Sequence, residues 1–230
     1  MIACFRTSRR ATRTSGDVVI PQGIRYVCSM NEAKPPILPR SPMLMSRDDS
    51  AFLIVDIQEK LVGLIDNYER LIWNTRRIAD AANIYGIPVF ATEQYPKALG
   101  PTIQPLVDRI QTVAEKTRFS CGGCPELFES LPSRGIQKIL VAGVESHVCV
   151  MQTTLDLLTA GFDVFVCVDA IAARFPVDHR IAIRRMEANG VTLTTTETAI
   201  FEWCETAGTG DFKQITALIR ESPPESDSQR

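Results

Sequence analysis

KILVAGVESHVCVMQTTLD, residues 138–156, opens with the compact apolar run Ile139-Leu140-Val141-Ala142 and halts it at Gly143. A short apolar run closed by a turn residue reads as a buried parallel strand. Cys149 follows six residues after the glycine, and Val150, Met151, Leu155, Leu157 and Leu158 then fall at helical spacing. The order is therefore strand, tight turn, cysteine, helix. A cysteine in the first turn of a helix meets unpaired N–H groups and the positive end of the dipole, which favour the thiolate. A strand-to-helix turn also lifts a nucleophile above the sheet edge. Taken alone, the cysteine reads first as a buried structural residue, because free Cys is among the most buried residue types.

The same alternation continues on both sides. Ala51 to Ile57 (AFLIVDI) reads as a buried strand carrying Asp56 near its end. Tyr68 to Tyr85 has Leu71, Ile72, Ile78, Ala81 and Ala82 at helical spacing, with Gly86 as its stop. Ile87 to Thr92 is a second strand, a long proline-bearing loop follows, and Gln111 to Lys116 is a third. Pro125 to Leu131 is expected to begin a helix, with proline at a permitted first-turn position. Asp163 to Asp169 and Val191 to Thr196 read as strands, and Asp178–Asn189, Ala199–Glu205 and Phe212–Ile219 as helices. Strand and helix alternate without a hairpin signal. The expected fold is a three-layer α/β/α domain with a six-stranded, mainly parallel sheet.

A chain of 230 residues with 45% hydrophobic and 23% charged residues is one ordinary globular domain with extensions. The folded domain is expected over 48–221. Residues 1–47 form an extension, with four arginines and no acid in Met1 to Gly16 and four prolines in Lys34 to Pro42. The first composition is that of a mitochondrial transit peptide or of a disordered basic start; the second reads as a linker. Residues 222–230 are polar and expected to be disordered. A net charge of −2 gives no pull toward nucleic acid or membrane, and no apolar run is long enough to span a bilayer. The seven cysteines are scattered, which reads as reduced thiols in an intracellular protein, mitochondrial if the basic start is a transit peptide and cytoplasmic otherwise.

In open α/β sheets, functional groups gather at the carboxyl ends of the strands. Asp56, Lys116 and Cys149 stand at or just beyond such ends. A carboxylate can take a thiol's proton and an ammonium can stabilise the charge that results. Asp56 is then the base, Cys149 the nucleophile and Lys116 the cation that holds both. Each has a plainer reading: a helix cap for Asp56, a solvated side chain for Lys116, a core thiol for Cys149. Their coincidence at three strand ends favours the joint one.

The motifs VDIQEKL (Val55 to Leu61), TEQYPKALGPT (Thr92 to Thr102), EKTRFS (Glu115 to Ser120), AGVESHVCV (Ala142 to Val150) and TTLDLL (Thr153 to Leu158) occur in this order. With them the chain from Ser50 to Glu221 resembles the isochorismatase-like cysteine hydrolases, in the branch of the isochorismatase domain-containing proteins. The resemblance implies the triad Asp56, Lys116 and Cys149, and a cis peptide between Val144 and Glu145. It implies an oxyanion hole from the N–H groups of Glu145 and Cys149, a hydroxyl residue at Ser146, and a homo-oligomer. Leu61, Gln94, Tyr95 and Ser146 are candidate pocket residues.

Two departures matter. The zinc-dependent nicotinamidase branch carries an aspartate and two histidines after the second strand, and here EQYPKALGP has no histidine. No metal or cofactor is therefore expected. True isochorismatases lack the nucleophilic cysteine, so Cys149 points toward acyl transfer on a small amide through a thioester. Vinyl-ether hydrolysis and a non-catalytic interaction protein are the alternatives. The pair Cys121 and Cys124 (CGGC) has redox-motif spacing but follows the third strand and lacks a second pair for zinc. Its nearness to Lys116 leaves an influence on the site open.

Overall fold

The computed structural model describes residues 38–224; the basic segment Met1–Gly16 and the last residues of the polar tail lie outside them. In chain order the elements are β1 (Ser50–Val55), α1 (Glu59–Val62), α2 (Tyr68–Tyr85), β2 (Val89–Gln94), α3 (Pro96–Leu99), α4 (Gln104–Val107) and β3 (Thr112–Lys116). There follow β4 (Lys138–Val144), α5 (Met151–Thr159), β5 (Asp163–Ala172), α6 (Pro176–Ala188), β6 (Thr192–Thr194), α7 (Thr196–Cys204) and α8 (Phe212–Ile219). The six strands form one sheet in the order β3-β2-β1-β4-β5-β6, every neighbour parallel.

Period-two patterning builds the three layers. Along β1, Phe52 and Ile54 enter one core, while Ala51, Leu53 and Val55 enter the other. Along β4, Leu140, Ala142 and Val144 join the first, and Ile139 and Val141 the second. Both strands are buried on both faces, as the centre of a parallel sheet must be. The first face is covered by α2, α7 and α8, with Ile78, Trp203 and Ile215 buried in it. The second is covered by α5 and α6 together with the segment around Leu127, Phe128 and Leu131.

Some expectations need correction. Pro125 does not start an α-helix. The segment runs as short 3-10 turns, Cys121–Gly123, Pro125–Leu127 and Pro132–Arg134. Pro132 has no N–H to give to the turn before it, so α-helical hydrogen bonding cannot propagate. Trp203 is fully buried in its own domain, and Phe201 beside it is 40% exposed. The chain is also attached to this unit before position 48. Met45 is fully buried, and Arg40 Nη2 donates to the carbonyls of Met45 (2.8 Å) and Glu202 (2.7 Å).

β1 is the hinge of the topology. From it the chain winds outward through β2 and β3, then returns to place β4 on its other side. The carboxyl ends of β1 and β4 thus flank the switch point, where an open α/β sheet leaves a crevice. At this edge Gly143 has φ +134° and lies against β1. A Cβ there would stand 2.1 Å from the carbonyl oxygen of Val55 and 2.7 Å from its nitrogen. Gly86, which ends α2 at φ +69°, meets nothing within 4 Å. Gly143→Ala is accordingly expected to remove at least about 3 kcal/mol of unfolding free energy, and Gly86→Ala only about 1 kcal/mol. Urea denaturation of the two variants beside the parent checks the contrast.

Candidate functional site

Each candidate side chain comes from the end of a strand. Asp56 follows β1 with φ 51°, a left-handed backbone that Asp tolerates better than most residues. Lys116 is the last residue of β3, which lies beyond β2 from β1. Its long side chain reaches back across β2, and Nζ donates to Asp56 Oδ2 at 2.6 Å. The other two ammonium protons go to Gln94 Oε1 (2.8 Å) and the carbonyl of Phe119 (2.9 Å). Both charged side chains are buried, at 1% and 0% exposure. Ion pairs so placed survive only when their remaining hydrogen-bonding capacity is met.

Cys149 lies 6% exposed in the turn after β4. That turn, Ser146–Val150, is π-helical, and α5 begins only at Met151. Cys149 is thus ahead of the helix rather than in its first turn. The wider turn seats the thiol close enough to the carboxyl group of Asp56 for each to act on the other. Burial pushes the Cys149 thiol well above the ordinary cysteine range, and the Asp56 charge and hydrogen bond add to this, while Lys116 opposes it. The expected fall in the thiol pKa is therefore reversed: desolvation and a facing carboxylate outweigh one ammonium. Asp56 is raised too, by burial first, against the pull of Lys116 and of hydrogen bonds from Cys149, Lys116 and Thr92.

The Val144–Glu145 peptide is cis. The carbonyl of Glu145 then accepts from the N–H groups of Val148 (3.1 Å) and Val150 (3.2 Å), which draws Glu145 and Cys149 onto one turn. The Glu145 carboxylate is held by Arg174, through Nε at 2.9 Å and the backbone N–H at 3.2 Å. Ser146 is fully buried, with its Oγ 3.1 Å from His179 Nδ1. Burial lowers the pKa of that histidine.

Gln94 serves Lys116 directly, as above, and Gln58 clamps it. Gln58 Oε1 accepts from Gln94 N (2.8 Å), and Gln58 Nε2 donates to the carbonyls of Gln94 (3.1 Å) and Gly100 (2.6 Å). Tyr95 is 53% exposed and, with Pro96, Lys97, Lys116 and Arg118, lines a cleft of about 450 Å³. Leu61 is half-buried on α1 and packs on the first core. Among the described residues no group of three His, Cys, Asp or Glu is gathered as a metal would need, and no helix is long and apolar enough to cross a membrane.

Thr92 carried no role in the sequence reading, and Cys121 only an open one through the CGGC pair. Thr92, inside β2, donates from Oγ1 to Asp56 Oδ1 at 2.8 Å. Cys121 places its sulfur 3.4 Å from that same hydroxyl, and burial and the Asp56 charge push its thiol up to about 11. Cys124, the other half of the CGGC motif, points to the carbonyl of Glu115 at 3.6 Å. Only the position of Thr92, at the expected end of the strand between those of Asp56 and Lys116, could have marked it in the sequence.

Comparison with known proteins places this geometry among relatives. The isochorismatase domain matches residues 50–198. Isochorismatase domain-containing protein 2 of Homo sapiens is 36% identical over 178 residues, 77% of this chain and 86% of its own length. Isochorismatase domain-containing protein 1 of Danio rerio is 36% identical over 184 residues; this is 79% of the chain but 65% of the relative, so the chain spans just under two thirds of that protein. The solved structure of MAR1 ribonuclease from Caenorhabditis elegans superposes with a TM-score of 0.73 at 36% identity, covering 81% of this chain and 97% of that one. YcaC from Pseudomonas aeruginosa, solved with hexane-2,5-diol and covalent acrylamide, gives 0.72 at 26% identity, covering 79% and 92%.

The buried pair makes a test of stability against pH. Burial raises Asp56, so the folded state favours its protonated form, and that contribution is lost as pH rises through the folded pKa. Removing Lys116 raises Asp56 further. Lys116→Met is expected to cost about 3–5 kcal/mol near pH 8 and progressively less as the pH is lowered and Asp56 takes up a proton. Asp56→Asn combined with Lys116→Met is expected to recover most of the loss. Urea unfolding of both variants across pH measures each part.

Proposed function

The chain belongs to the isochorismatase family, and from that premise we propose that it is a cysteine hydrolase of small amides or related acyl compounds. One observation carries the reading: the Cys149 thiol stands close enough to Asp56 for that charge to act on it, and Asp56 is itself locked at 2.6 Å to the buried Lys116. A thiol held up in pKa is not a standing thiolate. The nucleophile is made as the proton moves from Cys149 Sγ to Asp56, and the two groups titrate as a pair.

The sulfur attacks the carbonyl carbon, and the C=O electron pair moves to oxygen. The N–H groups of Glu145 and Cys149 are assigned to that oxyanion. Asp56 returns its proton to the leaving nitrogen, the C–N bond breaks, and a thioester remains on Cys149. Water, giving a proton to Asp56, then cleaves the thioester and restores the thiol. Lys116 keeps the carboxyl group in place and balances its charge. No step calls on a metal. The covalent acrylamide of YcaC supports a reactive nucleophile in this fold, since acrylamide is an acceptor for thiols. The cleft beside Tyr95 and Lys116 is the assigned entry for substrate.

Self-association belongs to the same proposal. Phe175, Val177 and Ile181, at the start of α6, are 57%, 53% and 45% exposed, and apolar residues so grouped mark contact surface. Light scattering at micromolar concentration is expected to give more than one copy per particle, and Val177→Asp with Ile181→Asp to reduce it.

The decisive experiment is a panel of small primary amides assayed for ammonia release. Cys149→Ala is expected to lose at least about a thousandfold in turnover, and Asp56→Asn comparably. An RNA oligonucleotide belongs in the panel because of the name of the nematode relative. Turnover of any amide that survives Cys149→Ala would sink the reading.

A further inference from the structure

We propose that Thr92 is a positioning residue for Asp56, gripping both its backbone and its carboxylate, and that Cys121 fixes the direction in which the Thr92 hydroxyl points. The proposal deepens, and rests on, the reading of Asp56 as the base for Cys149.

The geometry supplies two grips. The carbonyl of Thr92 accepts from Asp56 N–H at 3.2 Å, and its hydroxyl donates to Asp56 Oδ1 at 2.8 Å. The first holds the left-handed backbone of Asp56; the second holds one edge of the carboxylate while Lys116 holds the other through Oδ2. With both oxygens tied, the carboxylate cannot turn about its own axis away from Cys149. Thr92 suits this task because it is fully buried and because a β-branched side chain in a strand has a restricted χ1. Its register is set by the sheet, where Thr92 pairs with Val55 on one side and Ala114 on the other.

A hydroxyl has one proton and an ionised carboxylate can only accept, so that proton points to Asp56. The lone pairs of Thr92 Oγ1 are left facing Cys121 Sγ at 3.4 Å. Cys121 is itself held, its N–H donating to Thr153 Oγ1 at 2.9 Å. With its thiol pushed up to about 11, it stays protonated and is a donor. The order S–H of Cys121, O–H of Thr92, carboxylate of Asp56 is then the one arrangement that satisfies all three. The titratable groups whose charge acts around this carboxyl are Lys116 from β3, Cys149 from the turn after β4, and Cys121 and Cys124 from the 3-10 turns. Of these only Lys116 is a cation, and the Thr92 hydroxyl adds a smaller contribution that also favours ionised Asp56.

The test needs no natural substrate. Acrylamide addition at Cys149 is followed by mass spectrometry of the labelled peptide across pH, with the parent and Asp56→Asn as references. Below the pKa of Asp56 the carboxyl group is already protonated and cannot take the thiol proton, which gives the profile an acid limb. Thr92→Val keeps the shape and removes the hydroxyl. It is expected to move that limb to higher pH by about one unit, and Thr92→Ser to return it. Cys121→Ala is expected to move it the same way by less. If Thr92→Val fails to fold, Cys121→Ala decides, and an unmoved limb there overturns the relay. A Thr92→Val profile that superimposes on the parent, while that of Asp56→Asn does not, overturns the positioning role alone. Superposition of all three removes Asp56 as the base and the inference with it.

Discussion

The ion pair between Asp56 Oδ2 and Lys116 Nζ, 2.6 Å long and closed off from water, is the constraint around which the upper edge of this sheet is arranged. Two charges taken out of solvent are costly unless their remaining bonding capacity is filled. Here Lys116 gives its three protons to Asp56, Gln94 and Phe119, and Asp56 takes a further bond from Thr92. Those needs propagate outward. Gln94 must be oriented, so the Gln58 side chain brackets its backbone N–H and carbonyl. Gln58 in turn holds Gly100, at the far end of the loop that forms one wall of the cleft.

Topology puts this pair beside the thiol. The chain leaves β1 in one direction to build β2 and β3, and comes back to add β4 on the opposite side. Residues 56, 116 and 149, far apart in sequence, therefore end at one crevice. Gly143 lets β4 approach the end of β1 more closely than any side chain would permit. The ion pair of Glu145 with Arg174 then ties the turn that carries Cys149 to the segment after β5. Closeness of strands and stiffness of the turn together fix where the sulfur sits.

The same closeness decides the chemistry of the thiol. A helix start and a lysine, considered alone, argue for a stabilised thiolate. In the folded protein the sulfur is buried and faces a carboxylate, and both effects hold its proton on. At rest Cys149 is then a protonated thiol beside Asp56, with the thiol of Cys121 held against Thr92.

Composition and periodicity determine a good part of this protein by themselves. Runs such as AFLIV and ILVA, short and bounded by turn residues, read as central strands, because both faces of a parallel sheet are covered. Their alternation with helical spacing makes the layered fold legible, and the strand-end positions of Asp56, Lys116 and Cys149 nominate a site. The extent of local elements was less legible around Pro125 and Pro132, where a helical pattern meets residues that cannot sustain the hydrogen bonding. Three things were left to the tertiary structure: the place of Trp203 inside its own core, the part played by Thr92, and the sign of the Cys149 shift. The physical reason is common to all three. Burial, and the bonds and charges that burial brings within a few ångströms, depend on which strands lie side by side, and a local stretch of sequence does not carry that information.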